Sequence, residues 1–70
     1  MERPHRITQR RGAGPEGRLA ILKAARRLFA DRGFLGVSID DVAREATVSK
    51  GLVLYHFASK DRLFAHIIGE

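Results

Sequence analysis

Seventy residues permit one small domain and exclude a large enclosed ligand cavity, because a chain this short buries too small a share of its surface. Apolar residues make up 44% of the chain, enough for a core, but only four Phe and one Tyr are aromatic, so that core rests on Leu, Ile, Val and Ala. The absence of Cys excludes a disulfide framework and a thiolate metal site and fits a reducing cytoplasm, while 13 Lys and Arg against 8 Asp and Glu leave +5, a balance suited to nucleic acid or another anionic partner.

The positive charge is uneven. Residues 1–18 hold Arg3, Arg6, Arg10, Arg11 and Arg18 against two Glu, whereas the remaining residues hold eight basic and six acidic groups. Residues 1–14 carry no hydrophobic period and contain Pro4, Gly12 and Gly14, so a basic flexible arm is expected there. Two readings of it stay open: a solvated tail, or an arm that follows a phosphate backbone or enters a minor groove. Gly12, Gly14 and Gly17 satisfy the spacing of a dinucleotide-binding motif, but no strand precedes them and Pro15 lacks the N–H such a loop needs. No nucleotide site is expected from them.

Pro15 suits the first position of a helix and Glu16 suits its positive end, so a first helix is expected from Pro15 to about Arg32. Ile21, Leu22, Ala25, Leu28 and Phe29 form its apolar stripe, with Lys23, Arg26 and Arg27 on the other side. Gly33 is placed to end it in a left-handed conformation, with Phe34 as the hydrophobic anchor that follows.

Ser38 is placed to cap a second helix, with Asp41 three residues on as its capping-box partner. Ile39, Val42, Ala43 and Ala46 give the apolar face, and Thr47 and Val48 form the turn that follows. Ser49 caps a third helix running from Lys50 to about His56, with Val53 and Phe57 directed inward and Leu54 alongside them. Ser59 caps a fourth, with Asp61 in its first turn and Leu63, Phe64, Ile67 and Ile68 on one side. That apolar face is still in course at Glu70, as expected of a fragment of a longer protein.

Two short helices joined by a tight turn, the second with Lys, Tyr and His around it, fit the helix-turn-helix geometry in which the second helix enters the major groove. Patterning alone leaves a plain helical bundle with a polar surface as the other reading. His5, His56 and His66 have no metal-ligand spacing, and no Ser, His and Asp set suggests a catalytic triad. Neither an enzyme nor a cofactor is expected. No run reaches the length of a membrane span and no signal peptide opens the chain, so a soluble protein without a membrane partner is expected. A small basic interaction module docking through Ile67 and Ile68 is the alternative function.

The combination Phe29, Gly33, Phe34, Ser38, Ile39, Val42, Ala43, Ala46, Val48, Ser49, Gly51, Tyr55, His56, Phe57, Lys60 and Leu63 closely resembles the N-terminal domain of the TetR family of bacterial transcriptional regulators. The resemblance implies an all-α, homeodomain-like three-helix helix-turn-helix bundle over residues 15–70, with the start of a fourth helix. It also implies a larger helical domain, outside these residues, that binds a small-molecule effector and forms a homodimer. The implied function is sequence-specific binding of double-stranded DNA at a palindromic operator by a ligand-released repressor in the bacterial cytoplasm, at the nucleoid.

Position by position, the resemblance places Ser38 near a phosphate and Lys50, Gly51 and Leu52 against base edges, with Ser49 at the cap before them. Tyr55 and His56 are to donate to phosphates and Lys60 to neutralise another. Without the resemblance, Tyr55 reads as a packing residue, His56 as a structural histidine and Lys60 as a solvated lysine. Two positions depart from the family pattern. Thr47 stands where Gly is common, so either φ stays negative there or the turn is strained. Leu54 stands where the family often has Tyr, and either packs inward or meets a thymine methyl.

Overall fold

The structure is a computed structural model and describes residues 12–69. Those residues form four helices and no strand: α1 (Pro15–Arg32), α2 (Ile39–Ala46), α3 (Lys50–His56) and α4 (Lys60–Ile68). The all-α class and the helix bounds are those expected, because the punctuating residues act locally. Pro15 occupies the first turn of α1, where its missing N–H costs nothing. Ser49 Oγ accepts the N–H of Leu52 at 3.0 Å and Ser59 Oγ that of Arg62 at 3.2 Å, so each short helix after α2 starts on a side-chain cap.

At α2 the capping box is reciprocal. Ser38 Oγ accepts the N–H of Asp41 at 3.1 Å, and Asp41 Oδ2 accepts the N–H of Ser38 at 2.9 Å. Those two hydrogen bonds, together with the Arg32 and Arg44 guanidinium groups nearby, hold the Asp41 carboxyl below the ordinary carboxylate range against an opposing effect of desolvation.

Gly33 ends α1 with φ 78°, the positive value expected, and its N–H reaches the carbonyl of Phe29 at 2.8 Å. Its ψ of 170° differs from the expected left-handed helical value, so the backbone leaves extended into the α1–α2 turn.

The core is aliphatic, as the composition requires. Ile21, Ala25, Val42, Val53 and Leu63 are fully buried, one or two from each helix, and each large aliphatic among them contributes on the order of 1.5–3 kcal/mol. α1 is the scaffold: it packs against all three other helices, and α2 packs in addition on α3. Phe29, Phe34 and Phe64 meet at its C-terminal end, with ring centroids 5.0 to 6.0 Å apart. The Arg18 guanidinium lies 5.0 Å from the centroid of the Phe57 ring and 3.3 Å from His66 Nε2, joining α1 to α4. Ile67 is half-buried beside the core and Ile68 is exposed, so the apolar face of α4 is only partly covered. No helix of the described residues is long and apolar enough to cross a membrane.

Candidate nucleic-acid interface

α2 ends in a tight double bond: Val48 N–H donates to the carbonyl of Ala43 at 2.9 Å and Thr47 N–H to that of Arg44 at 3.2 Å. This is a Schellman arrangement, which needs a left-handed residue at its fifth position. Thr47 supplies it, with φ 61° and ψ 46°, and it is the described non-glycine residue with positive φ. Of the two alternatives for this turn the strained one holds: the tertiary packing of Val48 on the core sets the direction of the chain and overrides the preference of a β-branched residue.

The turn sets α3 with three distinct sides. Val53 is buried in the core, as is Phe57 just beyond the helix. Lys50, Gly51, Leu54 and Tyr55 are exposed and share one outward face by their one- and four-residue spacing. Leu54 therefore belongs to the surface, not alongside Val53 and Phe57 as expected, because its place in the helical turn falls on the side away from α1 and α2. Leu52 and His56, also four apart, turn to a third side and meet Gly12.

On the outward face Lys50 extends into solvent with Asp40 Oδ1 3.9 Å from its Nζ, too long and exposed a pair to hold it. Tyr55 is 69% exposed, so its hydroxyl is presented to solvent. Gly51 is exposed, and a Cβ there would meet nothing nearer than Ser49 Oγ at 3.9 Å. Ser38 and Ser49 lie exposed at the starts of α2 and α3. Each hydroxyl accepts one capping bond and keeps its own O–H to donate.

The other three expected site residues are engaged inside the protein. Leu52 is half-buried and lies against Gly12, where an added Cβ would strike its Cδ2. His56 Nε2 lies 2.8 Å from the Gly12 carbonyl, which only accepts, so this nitrogen carries the proton and donates. Lys60 Nζ donates to the carbonyls of Phe34 and Val37, each at 2.7 Å, and sits 4.2 Å from the centroid of the Phe34 ring. One of its three N–H groups remains.

In the sequence Gly12 and Gly17 stand out only as a chance motif; in the fold they touch. Gly12 and Ala13 are helical, a bend follows at Gly14, and Gly12 lies on Gly17 so closely that a Cβ on Gly17 would run into its backbone. Residues 12–14 of the expected arm are thus seated on the body of the domain, and the rest of that arm lies outside the described residues. The five-residue spacing of the two glycines was the available signal. No group of three metal-ligating side chains occurs among the described residues.

A scaffold helix carrying two short helices across a tight turn, the second with an exposed polar face, defines a helix-turn-helix domain. The model of the bacterial regulatory proteins of the tetR family matches residues 21–67, and the chain belongs to that family. It is 47% identical over 49 residues to the HTH-type transcriptional repressor Rv3405c of Mycobacterium tuberculosis, covering 70% of this chain and 26% of that protein. It is 40% identical over 52 residues to the HTH-type transcriptional regulator BetI of Rhizobium meliloti, covering 74% and 26%. To the HTH-type transcriptional regulator AcrR of Shigella flexneri it is 38% identical over 52 residues, covering 74% and 24%. The matched region is thus about a quarter of these relatives' length. No solved structure matches.

Proposed function

We propose that this domain binds double-stranded DNA sequence-specifically, with the outward face of α3 in the major groove, as the reading head of a TetR-like transcriptional regulator. The observation that carries the proposal is Gly51. Glycine inside a helix costs about 0.8–1.0 kcal/mol relative to Ala, and neither a positive φ nor a close neighbour requires it here. A bare backbone on an exposed face serves something that approaches from outside, and a base-pair edge is such a partner.

The roles divide accordingly. Lys50 donates to guanine O6 and N7, and Leu54 offers an apolar contact to a thymine methyl. The free hydroxyl protons of Ser38, Ser49 and Tyr55, with the third N–H of Lys60, bind phosphates and fix the register. Family membership and the repressor name of the mycobacterial relative support repression as the direction of control. In a chain of the relatives' length, the region beyond the match carries dimerisation on a palindromic operator and the effector that releases it.

Selection of binding sites from random duplexes tests this. The parent chain should enrich a defined sequence, and Lys50→Ala should lose preference at one base pair, with about 1–3 kcal/mol of discrimination removed there. Failure of the parent to bind any duplex at low salt would favour the interaction-module reading instead.

A further inference from the structure

We propose that Asp40 is a specificity-determining residue, a carboxylate on α2 that reads cytosine in the base pair whose guanine is read by Lys50; this rests on the DNA-binding reading above. α2 opens with two adjacent carboxylates, and the fold uses them differently. Asp41 is engaged within the domain: it accepts the Ser38 N–H at 2.9 Å, and the Arg32 and Arg44 guanidinium groups stand 3.5 and 3.6 Å from it. Asp40 has no part in that cap. Its Oδ1 reaches from α2 to within 3.9 Å of Lys50 Nζ, at the first residue of α3, and more than half of each side chain is exposed. A pair that long and that exposed neither neutralises nor fixes its members. The dipole of α2 favours an acidic group in its first turn, but Asp41 already supplies one. A second carboxylate beside the reading lysine faces repulsion from every phosphate of a bound duplex, and base recognition gives it a function there.

The major-groove edge of a G·C pair runs acceptor, acceptor, donor: guanine N7 and O6, then the cytosine N4 amino group. Lys50 and Asp40 are its complement, an ammonium that only donates beside a carboxylate that only accepts. Their separation of 3.9 Å lets both reach one base pair. In an A·T pair the carboxylate meets thymine O4, acceptor against acceptor, and the ammonium meets the adenine amino group. In a reversed pair the cytosine amino group lies under the ammonium. Lys50 alone tolerates N7 of either purine, and Asp40 removes that latitude. The carboxylate thus costs general affinity and supplies discrimination, the part that a repulsive group plays in a specific interface.

The test is selection from random duplexes by the parent chain, Lys50→Ala, Asp40→Ala and Asp40→Asn, with thermal unfolding and affinity for an unrelated duplex measured for each. Lys50→Ala marks the base pair in question, which the parent should select as G·C. Asp40→Ala should relax that same pair, losing about five- to hundredfold of discrimination there. Its affinity for an unrelated duplex should rise, because a charge of the same sign as the phosphates has left the surface. Asp40→Asn keeps the size of the side chain and gains an N–H donor, so it should admit A·T at that pair, the amide donating to thymine O4. It carries the test if Asp40→Ala impairs α2. A lowered thermal midpoint with unchanged selection by both Asp40 variants, or relaxation at a base pair other than the one Lys50 reads, would overturn the pairing and leave DNA binding standing. A parent chain that selects no sequence would overturn both.

Discussion

Lys60 and Phe34 meet twice: the Lys60 ammonium donates to the Phe34 carbonyl at 2.7 Å and lies 4.2 Å from the centroid of its ring. With its second bond, to the Val37 carbonyl, the first residue of α4 closes the turn between α1 and α2. Lys60→Met should therefore lower stability by about 1.5–3 kcal/mol, the range for hydrogen bonds to a charged group. Lys60→Arg should recover little, since a planar guanidinium does not reproduce the compact ammonium. Urea unfolding checks both, and a neutral Lys60→Met would show that the turn holds without it.

Thr47 carries a left-handed backbone with a β-branched side chain. The conformation costs an L-residue about 1–2 kcal/mol, while glycine gives back part of that through the greater freedom of its unfolded chain. Thr47→Gly should stabilise the domain by about 1 kcal/mol, and Thr47→Asn by less. Denaturant midpoints decide it. A destabilising Thr47→Gly would mean that the side chain has a packing role that outweighs the strain.

Asp41 links the cap of α2 to pH. Its carboxyl is held below the ordinary range when folded, by the two Ser38 bonds first and by Arg32 and Arg44 after them. The unfolded chain therefore takes up a proton at Asp41 before the folded chain does. The stability that the carboxylate contributes is full above the unfolded value, near about pH 4, and is lost as pH falls through the lower folded value. Asp41→Asn should cost stability at about pH 7, and the gap from the parent should narrow below about pH 4. A gap that stayed constant from about pH 7 to about pH 3 would remove the carboxylate's charge from the explanation.

Gly51 separates folding from binding. Because a Cβ there enters open space, Gly51→Ala should raise stability by up to about 1 kcal/mol, while duplex affinity falls as close approach is blocked. Thermal unfolding and duplex titration on the same sample read the two effects. A variant that is more stable and binds as well as the parent would deprive this glycine of its assigned role.

What could be read from the residues was the local part. Ser38, Ser49, Ser59, Pro15 and Gly33 act within three or four positions of themselves, so the helix bounds follow from short-range chemistry. The exposed face of α3 was legible only in part: Val53 and Phe57 fix which side is inward and leave Lys50, Gly51 and Tyr55 outside, but Leu54 was open between two sides, and Leu52 and His56 turn to a third side against Gly12. The partners of His56 and Lys60 were not, because Gly12 lies 44 residues from the one and Phe34 26 from the other. Neither position announces its partner by spacing. Thr47 shows the reverse case, where the conflict was visible in the sequence and packing decided it.

The most direct test of the reading surface is an amide chemical-shift titration of the chain with duplex DNA at low salt. The largest shifts should fall on Ser38 and on Ser49 through Leu52, with Tyr55 next and the buried side of α1 unmoved. Shifts centred instead on the exposed end of α4 around Ile68, or none at any position, would contradict the assignment of α3 as the DNA-reading helix.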